Sequence, residues 1–336
     1  PMAALPATNP TLLDLAKLLD PAGNIAQVAE ILNEQNDILD DMTWQQGNLI
    51  TGHRGVIRTG IPAPTWRKLY GGVQPSKSTT STVTDNCGQL ANYLEVDKDL
   101  ADLSGNVGAY MLSQARGITE GFNQAIADAL FYANEGTAPE TFTGLAPRFS
   151  STTAANGENI ILGGSSDTDN ASIWLVYWSP STVYGIVPKG SQAGLTVEDK
   201  GQVTVEDASN GSNSGRMEAY RTYFTWKAGL HVADWRAVVR IANIDKSALT
   251  ADGTSGAKLP DLLFQALETV PRAAAVGRPA FYASRAVITK LRQQMSYRVA
   301  NSTLSFMDVG GKKVMDFQGV PIRRCDALSA DESLIS

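Results

Sequence analysis

Residues 99–134, DLADLSGNVGAYMLSQARGITEGFNQAIADALFYAN, decide how the rest of this 336-residue chain is read. The apolar positions Leu100, Leu103, Val107, Met111, Ala115, Ile118, Phe122, Ile126, Ala129 and Ala133 recur every three or four residues. That spacing draws one stripe along a helix. Asp99 or Ser104 can cap its start, and Asn134-Glu135-Gly136 followed by Pro139 ends it. From Ser104 to Ala133 such a helix runs ~45 Å at about 1.5 Å per residue, long for a globular domain. It needs a partner surface along its whole length, with Met111, Ile118, Phe122 and Ile126 as the expected buried core. Arg116, Glu120 and Asp128 exclude a membrane span. Gly105, Gly108, Gly117 and Gly121 each weaken a helix by roughly 1 kcal/mol relative to Ala. Close packing of a neighbouring strand is the favoured explanation for them, and a bend at Gly117 and Gly121 the other.

Upstream, the charge is segregated. Residues 1–50 carry Asp14, Asp20, Glu30, Glu34, Asp37, Asp40 and Asp41 against Lys17 alone, a net −6 equal to that of the whole chain. Two short helical patterns, Leu12–Leu19 and Ile25–Leu32, flank Pro21-Ala22-Gly23. This arm is too short and too sparsely apolar to be a domain. Residues 51–84 reverse the sign, with Arg54, Arg58, Arg67, Lys68 and Lys77 and no acid. Val56–Thr59 reads as a strand, Gly60-Ile61-Pro62-Ala63-Pro64 is extended, and Ser76–Thr84 is nearly all Ser, Thr and Lys. The segment predicts an extended hairpin that projects from the body.

Downstream, SIWLVYWSPSTVYGIVP at 172–188 gives two strand runs around Ser179-Pro180-Ser181, and EAYRTYFTWKAGLHV at 218–232 gives a long one followed by Trp235–Ile244. Residues 247–259 form the best candidate boundary. Beyond it come a helix over Leu259–Val270, a strand at Ala280–Ala283, a helix from a Ser284 cap to about Tyr297, and short strands near Val314 and Val320.

Chemistry is sparse. His53 and His231 are the only histidines, and Cys87 and Cys325 the only cysteines. No nucleophile–base–orienter set, zinc spacing or phosphate loop can be assembled. DTDNAS at 167–172 opens like a calcium loop but lacks the required Gly and Glu, and Asp40-Asp41 reads as a solvated helix end. No catalytic, cofactor or metal residue is assigned. Charged residues are 18% of the chain, below the usual quarter, so much of its surface is expected to meet protein. The net acidity excludes a generally basic nucleic-acid coat.

Oppositely charged appendages, a long spine, a β-rich body and no catalytic set resemble the major capsid proteins of tailed bacteriophages, the Hong Kong 97-type family. NLITGHRGVIRTGIPAPTWRKLYGGVQPSKSTT at 48–80 is similar to the extended loop of the short-tailed-phage branch. PETFTGLAPRF at 139–149 resembles the turn leaving the spine. GRPAFYASRAVITKLRQQM at 277–295 and FQGVPIRRCDAL at 317–328 resemble the closing helix and final strand. The resemblance implies an α+β chain with an N-terminal arm (1–50), an extended loop (51–97), a peripheral domain with the spine helix (98–246) and an axial domain (247–336). It implies a non-enzymatic subunit that self-assembles as hexamers and pentamers into an icosahedral shell around double-stranded DNA. That DNA would meet the subunit by non-specific proximity, and no membrane is involved. A separate scaffolding protein, a possible decoration protein, and assembly in the host bacterial cytoplasm before residence in the virion capsid follow from it too. The alternatives are an encapsulin-like nanocompartment and a β-rich binding module. Arg54, Arg58, Arg67 and Lys68 of the hairpin, facing Asp37, Asp40 and Asp41 of a neighbour's arm, are the expected inter-subunit contacts.

Overall fold

The structure, a computed structural model, describes residues 10–12, 14–15, 33–165, 168–206, 215–251, 253, 255–297, 304–309, 312–329 and 331–336. The expected second arm helix at 25–32 lies outside these residues, as does most of the first. The strands in chain order are β1 (Trp44–Gln46), β2 (Gly52–Gly60), β3 (Thr79–Asn86), β4 (Gly88–Asp97), β5 (Ile160–Leu162), β6 (Asn170–Trp178) and β7 (Val183–Val187). They continue as β8 (Leu195–Glu206), β9 (Arg216–Val232), β10 (Val238–Asp245), β11 (Arg278–Ala283), β12 (Leu304–Val309), β13 (Lys312–Phe317) and β14 (Val320–Arg324). The chain is thus α+β.

The apolar stretch that opens the sequence reading forms two helices instead of one, Lys98–Leu103 and Val107–Tyr132. Asp97, and neither Asp99 nor Ser104, caps the first, its carboxylate accepting the N–H of Asp99 at 2.8 Å. Ser104 instead donates its hydroxyl to the Ala101 carbonyl at 2.6 Å. Gly105 then turns the chain at φ +75°, a left-handed conformation that Gly alone adopts freely. Asn106 Oδ1 restarts the helix by accepting the Ala109 N–H at 3.1 Å. The spine helix therefore has 26 residues, ~39 Å of length.

That restart does not shift the stripe, because Val107, Met111, Ala115, Ile118 and Phe122 all lie on the second helix. Phe122 and Ile126 are buried as expected, Met111 and Ile118 are half-buried and pack against the cluster that holds Phe122, and Tyr110 joins that cluster fully buried. Nor do Gly117 and Gly121 admit a neighbouring strand: a Cβ on either would meet nothing within 4 Å. Gly117→Ala is expected to leave the subunit folded and gain up to about 1 kcal/mol, because helix propensity is all that changes. Urea unfolding checks it, and a loss would mean that a close approach exists there.

The chain divides into two compact units, each drawing on three separate stretches. The first comprises Pro1–Glu34, Gln89–Ile126 and Gly194–Lys227. In it β8 pairs antiparallel with β9 from Leu195↔Trp226 to Glu206↔Arg216, with a bulge between Asp199 and Gly201. β4 takes the other side of β9, tied by the Arg221–Glu95 ion pair at 2.6 Å and by the Tyr93 and Tyr223 rings, tilted against each other with centroids 4.6 Å apart. Leu94, Val96, Leu100, Tyr110, Phe122 and Phe224 form its apolar core.

The second unit comprises Gln35–Gly88, Ala127–Ala193 and Ala228–Ser336. Its sheet runs β12-β13-β14-β11-β6-β7 and on to the end of β9, with β10 also on β6, β5 on β10 and β1 along β7. Every residue of β6, NASIWLVYW, is buried, which is why it reads as an unbroken apolar run instead of an alternating one. Trp174 packs against Phe131 and Phe149, and Trp178 Nε1 donates to Tyr282 Oη at 2.7 Å.

The 247–259 stretch, expected at a boundary, lies inside this unit. The Gln294 side chain holds it by accepting the Leu259 N–H at 3.0 Å and donating to the Ala257 carbonyl at 3.1 Å. Ser284 does not cap the helix Arg285–Tyr297: its hydroxyl is buried without a hydrogen-bond partner among the described residues. At Gly277, φ is +105° and a Cβ would sit 2.2 Å from the Trp178 carbonyl oxygen. Backbone on both sides leaves no room to yield. Gly277→Ala is expected to cost about 3 kcal/mol or more, combining strain with the opening of the β6–β11 edge. An unchanged urea midpoint would refute that.

Candidate interaction surface

β2 and β3 form their own two-stranded sheet, paired antiparallel from Gly52↔Asn86 to Gly60↔Thr79. Alternation along β2 puts Arg54, Val56 and Arg58 on one face, all exposed. Beyond the ladder, the tip from 61 to 78 has no regular structure, and Pro62, Pro64 and Pro75 prevent it from pairing. Here Ile61 is 86%, Trp66 103%, Leu69 92% and Tyr70 103% exposed. Single exposed apolar residues are ordinary, but four large ones in ten positions form a patch that asks for a partner. Arg67 and Lys68 sit within it. Arg67 is shaped locally, donating Nε to the Gly71 carbonyl at 2.9 Å. Arg54 donates Nε to Thr84 Oγ1 at 3.2 Å.

The acidic arm is less available than its sequence suggests. Its end docks on its own subunit: Asn36 bridges Cys325, and the Asp37 N–H reaches the Arg324 carbonyl. Asp41 is occupied, paired with Arg323 at 3.2 Å and accepting Tyr282 Oη at 3.0 Å. Burial raises its carboxyl above the usual range, against the pull of Arg323. Asp41 is therefore withdrawn as a contact for a neighbour's hairpin. Asp37 accepts from Gln35 Nε2 at 3.0 Å, and Asp40 is exposed. Both line a cavity of about 520 Å³ with Arg285, Arg292, Arg323 and Arg324, so their field is partly answered at home.

The root of the hairpin holds the polar cluster that sequence reasoning missed. Asp85 is buried, with one oxygen 2.9 Å from Arg148 Nη2 and the other 2.7 Å from His231 Nδ1. The His231 ring lies 4.6 Å from that of His53, whose Nε2 is 3.2 Å from Tyr184 Oη. The two histidines, read as separate strand or loop residues, are thus neighbours. An aspartate orienting a histidine makes two members of a triad, but the His231 Nε2 edge fills the space beside Gly55, which offers no nucleophile. Among the described residues no group of His, Cys, Asp and Glu could hold a metal ion. Nor is any helix among them long and apolar enough to cross a membrane.

Comparison with known proteins bears on what such a surface serves. Residues 20–336 match the sequence family of the major capsid protein GP7. A chain from the near-atomic structure of bacteriophage epsilon15 is 34% identical over 99% of both chains, with a TM-score of 0.78. A chain of Microbacterium phage Oxtober96 is 10% identical over 69% of this chain and 98% of its own, at a TM-score of 0.44. A chain of the SrpI encapsulin complex of Synechococcus elongatus PCC 7942 is 10% identical over 68% and 94%, at 0.41. No curated protein matches the sequence.

Proposed function

Because the chain belongs to the major capsid protein GP7 family, we propose that its extended hairpin is the grip by which one shell subunit holds the next. The protein is a bacteriophage major capsid protein of the Hong Kong 97-type fold, a structural subunit and not an enzyme. It self-assembles as hexamers and pentamers into the icosahedral shell of the virion, and the encapsulin alternative gives way to that membership. The β-rich-module alternative gives way with it.

The observation that carries the proposal is the tip: Trp66 and Tyr70 are wholly exposed and flank Arg67 and Lys68. Aromatic and arginine side chains are what buried interface centres use, each worth about 2 kcal/mol or more when truncated. Arg54 and Arg58 along the ladder add charges that steer docking and set its register, with Asp40 and Asp37 of a neighbour as acceptors. The arm (1–50), extended loop (51–97), peripheral segment (98–246) and axial segment (247–336) are the parts this assembly would use. A separate scaffolding protein, a possible decoration protein, enclosed double-stranded DNA and assembly in the host cytoplasm complete the reading.

Two variants test it: Trp66→Ser with Tyr70→Ser, and Arg67→Glu with Lys68→Glu. Sedimentation and electron microscopy read assembly, and circular dichroism reads the fold. Folded subunits that do not close shells are expected from both, with partial rescue of the charge variant by Asp40→Lys. Normal shells from both would remove the hairpin grip. Absence of rescue would remove only Asp40 as the partner.

A further inference from the structure

We propose that Arg148, Asp85, His231, His53 and Tyr184 form an acid-releasable clamp that fixes the extended hairpin to the body of its own subunit. His53 and Asp85 stand directly opposite each other at the root of the β2–β3 ladder. Every other member belongs to the body: Arg148 follows the spine, while Tyr184 on β7 and His231 on β9 are themselves register partners. One root residue is gripped from each side, Asp85 by Arg148 and His231, and His53 by Tyr184 and the ring of His231. Arg148 is in turn anchored by donating to the Thr143 carbonyl at 2.9 Å and the Leu230 carbonyl at 3.2 Å.

The root has no slack. A Cβ on Gly47 would lie 2.2 Å from the Gly52 carbonyl oxygen, and one on Gly52 would lie 2.0 Å from that of Asp85. The glycines let the backbones meet, and the five side chains then lock the angle. This concerns the subunit alone and stands whether or not the hairpin docks as proposed above.

Acid opens the clamp at His53. Its Nδ1 is buried with no hydrogen-bond partner among the described residues. The neutral ring can keep its one proton on Nε2 beside Tyr184 Oη, but the imidazolium must carry an N–H on Nδ1 with nothing to accept it. Burial and the adjacent His231 hold its pKa below the ordinary imidazole value, with Asp85 pulling the other way. For Asp85, burial pushes upward, but the His231 hydrogen bond and the Arg148 charge outweigh it and hold the carboxyl below its usual value. Tyr184 and the Cys87 thiol, the latter pushed up to about 11 by burial and Asp85, stay neutral throughout. The sign follows. A base with a depressed folded pKa stabilises the closed root above the unfolded value of about 6.5 and progressively less as pH falls below it.

Hydrogen–deuterium exchange on the full chain tests this. The reporters are the root amides Gly47 N–H to Val187, Lys189 N–H to Leu49 and Cys87 N–H to Thr51, with β6 as the internal reference. Measurements are made at about pH 7.5 and about pH 5, either side of the ordinary imidazole range, and corrected for intrinsic rates. Root exchange is expected to rise roughly tenfold in acid while β6 stays protected. His53→Gln, which cannot take a proton, is expected to abolish that rise, and Asp85→Asn to open the root at both pH values. A root that tracks β6 at both pH values, or an acid step that survives in His53→Gln, overturns the clamp. The His53 variant carries the test even if Asp85→Asn fails to fold.

Discussion

Glu332→Ala is expected to destabilise the folded subunit by about 3–5 kcal/mol, the cost of leaving a buried charge without its partner. The charge is Arg240, whose side chain and that of Glu332 are each 5% exposed, with Nη2 and Oε2 2.7 Å apart. Glu332 also accepts Tyr132 Oη at 2.5 Å and a short hydrogen bond from Ser172 Oγ. Arg240 lies 4.9 Å above the Trp174 ring and donates to the Phe149 carbonyl at 2.7 Å. The ion pair therefore joins residues 331–336 to β10, and Glu332 also reaches the all-buried strand β6 through Ser172 and a bridge with Asn170. Farther along, Asn243 holds Ile335 by two hydrogen bonds of 2.8 and 3.0 Å. Urea unfolding of unassembled subunits measures the loss. The paired replacement Arg240→Met with Glu332→Leu should recover most of it, since two apolar groups leave no orphaned charge. A single variant as stable as the parent would mean that water reaches Arg240, and the buried pair would have to be abandoned.

What the sequence could reveal depended on whether a signal was local or assembled. β6 was legible because burial on both faces demands an unbroken apolar run, and SIWLVYW is one. The charge of the hairpin and arm was legible because it is a count. The break at Gly105 was not, because a helical stripe counted through Ser104-Gly105-Asn106 keeps its period while the chain makes a turn that only φ reveals. The root clamp was invisible for a different reason. Its five members are scattered from His53 to His231, and only the pairing of β2 with β3 and of β7 with β9 brings them together. The exposed tip could have been found: Ile61, Trp66, Leu69 and Tyr70 lie among prolines and glycines that allow no ladder and no helix to bury them. Asp41 was misassigned because a run of acids looks solvated until Arg323 and Tyr282 are placed against it.

Phe122→Asp and Ile118→Asp, which the sequence stripe treats alike, are expected to differ sharply. Phe122 is 5% exposed in the cluster with Leu94, Val96, Tyr110 and Phe224, whereas Ile118 lies half-buried at that cluster's rim. Removing the phenyl ring alone costs about 3–5 kcal/mol in a core. The carboxylate adds a desolvation penalty that it can reduce only by taking up a proton. Its folded pKa is then raised above the unfolded value of about 3.9, so the added cost grows as pH rises from there and shrinks in acid. At Ile118 the new carboxylate can turn to solvent, and about 1–2 kcal/mol is expected with little pH dependence. Urea midpoints for both variants, each referred to the parent chain at about pH 4.5, close to the unfolded value, and at about pH 7, well above it, separate the outcomes. Equal losses would mean that Ile118 is enclosed as deeply as Phe122. Its place at the rim of that cluster would then have to be given up.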